Sequence, residues 1–316
     1  MPLTLEQYVE RLDARTDLPW PKAPPIDPPK AKPKFKTMPV KAVFWTVYGT
    51  LVAVPHGELQ FEHTQDFVTA AALEKVIKEF KMWQSMSRKP GAPSEYMREL
   101  FNKALTTLRL TSGGGEKFPE VQTERIWDDI VKKLQQKKYK FDAATYGSLD
   151  DYTKKIAYFY HASIQGSGPY PGAADAMKLA ADRGVVQGLL ADGQCFTVGQ
   201  LQRCLKQEDP DFDLDTIIPP SLRIISSEKK AKKPSDTLFK AAVAAAVAKG
   251  ISPAAVLHIG SNLERDIGPA KKHGFRTALF AGDKHSLSAT AEQLKDPALR
   301  PDAMITELPQ VIELIE

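Results

Sequence analysis

Cysteine is nearly absent from this chain of 316 residues, which has Cys195 and Cys204 and no others. Two thiols in one strand-to-helix stretch cannot supply a disulfide framework or a four-ligand zinc site, and such scarcity fits a reducing, cytoplasmic compartment. Long apolar runs are missing too. None approaches the ~20 residues that span a bilayer, and no basic-then-apolar leader opens the chain, so a soluble protein with no membrane partner is expected. Charge of one sign is also lacking: 43 Lys and Arg stand against 39 Asp and Glu. That balance argues against a nucleic-acid partner. The six histidines have no metal-ligand spacing, and no internal repeat is visible. What remains is a globular chain whose 42% hydrophobic residues can fill a core, with function carried by local sites.

The grammar of the chain changes along its length. A helix-like start, LTLEQYVERLD, leads into a proline-crowded stretch from Pro19 to Pro39 carrying Lys30, Lys32, Lys34 and Lys36. Residues 1–40 read as an extension: either a docking arm for an acidic partner or an extended strap lying on the folded part. KAVFWTVYGTLV then predicts a buried strand ending in a Gly-Thr turn. Over residues 57–166 apolar positions recur at helical spacing, as in Leu73, Val76, Ile77 and Phe80, in Met97, Leu100, Phe101, Ala104, Leu105 and Leu108, and in Ile126, Trp127, Ile130, Val131 and Leu134. Gly113, Gly114 and Gly115 mark a break between two of these helices, while Trp83, Trp127, Tyr158 and Tyr160 are expected to pack them. Lys137, Lys138 and Lys140 read as a solvated patch. From Pro171 onward, helices of ordinary length alternate with the short apolar strands VVQGLLA, RIIS, VLHIG, RTALF and DAMIT. This alternation predicts an α/β fold, a Rossmann-like parallel sheet with helices on both faces, built from residues 41–56 and 167–316, with an α-helical insertion after the first strand.

A parallel sheet gathers its binding loops at the carboxyl ends of its strands. Four segments fall there or just before a helix: TVYGTL, LLADGQ, KKPSDTLF and HIGSNLERDIGPAKKHG. Their order and flanking strands resemble the four motifs of the haloacid dehalogenase-like (HAD) hydrolase superfamily, from about Val40 to the end of the chain. The helical insertion is similar to that superfamily's α-helical cap. The resemblance implies an aspartate nucleophile at the position of Thr46, and at Tyr48 the tyrosine of the dehalogenase branch. It implies a serine or threonine where Ala191 stands, the substrate-steadying lysine at Lys233, a metal-binding acid where Ser261 stands, and the retained acid at Asp266. Asn262 beside Ser261 is similar to the Ser-Asn pair of the dehalogenase branch.

These replacements bear on chemistry. An attacking carboxylate needs no base, whereas a threonine hydroxyl is protonated at neutral pH and needs one. With Thr46 and Ser261 at the expected ligand positions, a firm magnesium site is not expected, and no cofactor is; Mg²⁺ enters only if the site is active. The expectation is a catalytically inactive HAD-like protein acting as an anion-ligand-binding or protein-interaction scaffold. Lys233 either pairs with Asp266 or, left free, joins the backbone N–H groups of Gly49 and Thr50, with Asp192, Ser261 and Asn262 nearby, to hold a small anion. The alternative is an active hydrolase of phosphate esters or haloacids with a non-standard nucleophile such as Asp192. Cys195 reads as a buried thiol and His258 as a core histidine.

Overall fold

A computed structural model describes residues 1–86 and 91–316. Its main sheet has six parallel strands: β1 (Ala42–Trp45), β4 (Val186–Ala191), β5 (Arg223–Ile225), β6 (Val256–Gly260), β7 (Arg276–Phe280) and β8 (Ala303–Ile305), in the order β5-β4-β1-β6-β7-β8. The short strands β2 (Val52–Ala53) and β3 (Gly168–Pro169) pair antiparallel beside it. Strand β1, four residues with no charged side chain, is wholly buried, as a central parallel strand covered on both faces must be, and its one polar side-chain group, the Trp45 indole N–H, donates to Gln187 Oε1 at 2.9 Å. It ends sooner than the apolar run suggests. Gly49 takes a positive φ of 78°, turning the chain after Tyr48, and its missing Cβ is needed because one would lie 2.9 Å from Ser261 Oγ.

Helices α1 (Leu5–Asp13), α2 (Asp66–Glu79), α3 (Pro93–Thr111), α4 (Thr123–Gln135), α5 (Ala143–Tyr146) and α6 (Leu149–Ile164) precede β3. Of these, α2 to α6 lie in the chain between β2 and β3 and form a helical layer with its own apolar centre around Phe101, Trp127, Tyr152 and Phe159. Local signals set their ends: Ser148 and Asp151 cap α6 reciprocally, and Pro93 opens α3 with Glu95 reaching back to the Ala92 amide. Helices α7 (Ala173–Asp182), α8 (Thr197–Glu208), α9 (Leu214–Ile217), α10 (Ser226–Lys229), α11 (Asp236–Ala248) and α12 (Gly268–Lys272) alternate with the later strands. Of the aromatic residues expected to pack the helical layer, Trp127, Tyr158 and Tyr160 are buried, but Trp83 is 53% exposed. It falls in a short 3₁₀ turn after α2, off the inward stripe. Cys195 and Cys204 are free thiols, and among the described residues no helix is long and apolar enough to cross a membrane.

The proline-rich stretch is a strap. Lys34 and Met304 exchange backbone hydrogen bonds of 2.8 and 2.9 Å along edge strand β8, and the Met38 amide donates to Leu314 O at 2.9 Å. Its four lysines point to solvent while its backbone covers an edge that could otherwise recruit another strand. The preceding α1 inserts Tyr8, Val9 and Leu12 into the apolar centre of the helical layer. Leu12→Ala is therefore expected to cost about 3 kcal/mol, read as a lower urea midpoint with an unchanged slope. Lys32→Ala should leave the midpoint in place; equal, negligible effects of both would show that the extension is not part of the folded unit.

Candidate functional site

Because β1 lies between β4 and β6, its end brings Thr46 between Ala191–Asp192 and Gly260–Ser261. The Thr46 amide donates to Ile259 O at 2.9 Å, fixing the side chain at the sheet's rim. Beyond β6 the chain makes a π-helical turn, Leu263–Ile267, capped by Asn262 Oδ1, which accepts from the Glu264 and Arg265 amides. The turn folds Asp266 back onto the strand end. A Cβ on Gly260 would lie 2.4 Å from Asp266 Cγ, so only glycine admits the carboxylate there. Lys233 arrives from the loop before α11, its amide held by Asp192 Oδ1 at 2.7 Å.

These side chains close on one another. Lys233 Nζ donates to Asp266 Oδ1 at 2.6 Å and to Thr46 Oγ1 at 2.7 Å, and Thr46 Oγ1 lies 3.2 Å from Asp266 Oδ1. Asp266 Oδ2 accepts the Asn262 amide at 3.0 Å. The Lys233 and Asp266 side chains are only 2% and 5% exposed. Burial alone would raise the Asp266 carboxyl, but the Lys233 ammonium beside it outweighs burial and holds the group well below the usual carboxylate range. Burial, and next to it Lys233, push His258 the other way, toward the neutral form. His258 Nδ1 lies 3.0 Å from Phe44 O, and a carbonyl only accepts, so Nδ1 carries the proton and Nε2 faces Thr46 Oγ1 at 3.5 Å with a lone pair.

Above this cluster lies a cavity of about 310 Å³ between the sheet's rim and the helical layer. At its side Arg265 bridges Asp192 and Glu58. Its far wall includes Glu120 and His161. Glu120 Oε2 accepts from Ser226 Oγ at 2.6 Å. Burial pushes this carboxyl up to about 7, with the Ser226 hydrogen bond opposing the rise and Asp192 adding to it.

Thr46, Tyr48, Asp192, Lys233, Ser261, Asn262 and Asp266 all line the cavity, while Ala191, Gly49 and Thr50 do not. Ala191 is completely buried at the end of β4. Of the two readings the sequence leaves open for Lys233, the structure takes the pairing with Asp266 and not the free-lysine anion site. Lys233 is paired with Asp266 and also donates to Thr46, while the Gly49 amide donates to Val52 O and the Thr50 amide to Val47 O, so neither amide is left for an anion. Tyr48 turns its hydroxyl away from the cavity floor, donating to Gln200 Oε1 at 2.7 Å. Asp192 accepts from the Lys233 amide on one oxygen and pairs with Arg265 on the other, which leaves it poorly placed to attack. A divalent ion does not fit the floor either, since its two carboxylates, Asp266 and Asp192, each already face a cation and, among the described residues, no three His, Cys, Asp or Glu side chains converge. Sequence reasoning missed Arg265, Glu58, Glu120 and His161, and placed His258 only in the core. An isolated histidine in the otherwise aliphatic VLHIG was the single local signal; the others meet only through the tertiary fold.

Two outcomes follow from this geometry. Lys233→Met should cost about 3–5 kcal/mol at neutral pH by stranding Asp266, and Lys233→Met/Asp266→Asn should recover most of it, as read from chemical denaturation; simple additivity would contradict a coupled pair. For Glu120 the folded state holds its proton more tightly than the unfolded chain, where the group ionises near 4.5. Its contribution to stability is therefore complete below that pH and lost as pH rises through about 7. Glu120→Gln should flatten this loss, roughly 3 kcal/mol at most, so that the variant is more stable than the parent at pH 8; parallel stability–pH curves for the two proteins would contradict the assignment.

A family model described as HAD-hydrolase-like matches residues 230–311, which include Lys233, His258, Ser261 and Asp266. No curated protein matches the sequence. Among solved structures, a 2-haloacid dehalogenase from Pseudomonas syringae pv. tomato is similar at a TM-score of 0.52 and 17% identity, covering 87% of this chain and 97% of its own. An L-2-haloacid dehalogenase from Xanthobacter autotrophicus is similar at a TM-score of 0.42 and 18% identity, with 86% and 97% covered. A HAD phosphatase from Thermococcus onnurineus gives 0.44 and 16%, with 86% and 96% covered. At these identities the likeness is one of fold, and of the three it is carried by the Pseudomonas structure, whose TM-score exceeds 0.5. With the parallel six-stranded sheet and the HAD-hydrolase-like match over residues 230–311, this chain has the haloacid dehalogenase-like fold.

Proposed function

We propose that this chain is a non-hydrolytic protein of the HAD-like fold, in which the helical layer acts as a cap over a cavity that holds a small ligand without turning it over. The observation that supports the reading is the closed cluster at the cavity floor, where Lys233 Nζ is shared between Asp266 and the Thr46 hydroxyl. A hydrolase of this fold, as the motif resemblance implies, needs an ionised attacking carboxylate. Here an alcohol stands at the end of β1, and the one buried carboxylate beside it is consumed as the counter-ion of Lys233. Opening the pair to free either group would expose an uncompensated buried charge.

A second reading has one specific observation in its favour. The His258 tautomer leaves Nε2 as a proton acceptor 3.5 Å from Thr46 Oγ1, the arrangement in which a histidine can take the hydroxyl proton as the oxygen attacks. It would make Thr46 the non-standard nucleophile and the protein a hydrolase of phosphate esters, through a phosphothreonine that water opens; on a 2-haloacid the same oxygen would displace halide once and leave a stable ether. The competing Asp266 oxygen is nearer the hydroxyl, at 3.2 Å, which favours the structural role.

Assays with p-nitrophenyl phosphate, with and without magnesium, and with 2-chloropropionate separate the two. The non-hydrolytic reading expects phosphate and chloride release no greater than from Thr46→Val. Turnover lost in both Thr46→Val and His258→Asn, but kept in Asp192→Asn, would replace it with the second.

A further inference from the structure

Two linkers join the helical layer to the sheet, residues 54–65 after β2 and residues 165–167 before β3. Gln165 ties them together: its Oε1 accepts the Gln60 amide at 2.7 Å, and its Nε2 donates to Glu58 O at 3.0 Å. The first linker lines the cavity with Glu58, Leu59 and Phe61, so the angle between layer and sheet sets how far the cavity opens. The N-terminal extension lies directly on this junction. A Cβ on Gly166 would fall 1.9 Å from Lys22 O, and one on Gly168 would fall 2.9 Å from Ala23 Cβ. These two glycines are what lets the extension cross the second linker and the start of β3 so closely.

On either side of that crossing the extension is fastened to both parts of the fold. Toward the helical layer, besides the buried Tyr8, Val9 and Leu12, Arg15 pairs with Glu79 of α2 at 2.6 Å, and Trp20 packs on Phe159 of α6 with ring centroids 5.4 Å apart. Toward the sheet, α8 holds α1 through Arg203 with Asp13 at 3.0 Å and Lys206 with Glu10 at 2.9 Å. Arg203 also donates to Ser167 O in the second linker at 3.0 Å. Farther along, Asp27 O accepts the Lys284 amide at 2.8 Å, and the Asp27 amide donates to Asp283 Oδ1 at 3.1 Å. The next residues of that loop, His285 to Ser288, form another wall of the cavity. The hold on the helical layer is largely apolar and buried, whereas the hold of α8 is ionic, with Glu10 and Asp13 about half exposed. Exposed ion pairs are weak and screened by salt, so the seam between α1 and α8 is where the fastening parts first.

We propose that residues 1–27 are a clasp: they hold the helical layer shut over the buried floor, and the layer swings away from the sheet when α1 parts from α8 and the crossing at Gly166 is lost. This rests on the helical layer being a cap over the cavity and is indifferent to whether the floor is hydrolytic. The test places spin labels at the exposed positions Leu110→Cys on α3 and Leu179→Cys on α7, in the full chain with Cys195→Ala and Cys204→Ala, and reads their separation by double electron–electron resonance. Glu10→Lys/Asp13→Lys sets like charges against Lys206 and Arg203, and Gly166→Ala drives a methyl group into the Lys22 carbonyl. Gly113→Ala, whose methyl would meet open space, is the control. Both clasp variants are expected to show a longer distance population that the control lacks, with amide exchange about tenfold faster over residues 57–65 and 164–170 and unchanged in β1 and β6. If Gly166→Ala does not fold, the charge reversal at the surface carries the test. One distance shared by variants and control would overturn the inference; Phe196, against Tyr158 and His161 at centroid distances of 5.7 and 5.0 Å, would then close the cavity by itself. Exchange rising equally in the sheet would overturn it too, as general loosening. Turnover in the hydrolysis assays would sink the non-hydrolytic reading and leave these distances to be judged separately.

Discussion

The contact between Lys233 Nζ and Asp266 Oδ1 governs the arrangement of the whole sheet rim. Both charges are almost fully removed from water, and each is tolerable only with the other in place. Several features of the chain serve that contact. Gly260 leaves room for the carboxylate, the π-helical turn aims it, the Asn262 amide takes its second oxygen, and Asp192 anchors the lysine's own amide. Thr46 completes the group with a hydroxyl, adding polarity without adding charge. A second carboxylate at that position would set two negative groups against a single buried cation.

The same pattern extends outward. Arg265 holds Asp192 and Glu58 as Lys233 holds Asp266, so the cationic groups of the floor and side are matched before any ligand arrives. A site that stabilises a developing negative charge needs preorganised donors with unspent capacity. Here the two cations of the floor and side, Lys233 and Arg265, are already paired with carboxylates.

Much of this was legible in the sequence. The alternation of VVQGLLA, VLHIG and RTALF with helices specified a parallel sheet, and strand ends placed Thr46, Asp192 and Ser261 within reach of each other, because β1 pairs with both β4 and β6. The pairing of Lys233 with Asp266 was one of two readings the sequence left open, and the structure takes it. Local pattern could not show that the Gly49 and Thr50 amides are consumed inside their own turn, since that depends on backbone geometry after the strand. Nor could it bring Glu120 to the rim: the loop before α4 reaches the core through the Glu120 amide on Lys230 O and the Lys232 amide on Phe118 O, contacts with no periodic signature. His161 belongs to the buried stripe of α6 and resembles any packing residue until the cavity beside it is seen.

The decisive question is whether the oxygen at the end of β1 ever forms a bond to substrate. Intact-mass and peptide-level mass spectrometry of the protein, acid-quenched after prolonged exposure to p-nitrophenyl phosphate or 2-chloropropionate, addresses it directly. The account requires an unmodified chain at every time point. A phosphoryl or 1-carboxyethyl adduct located on Thr46 would contradict it.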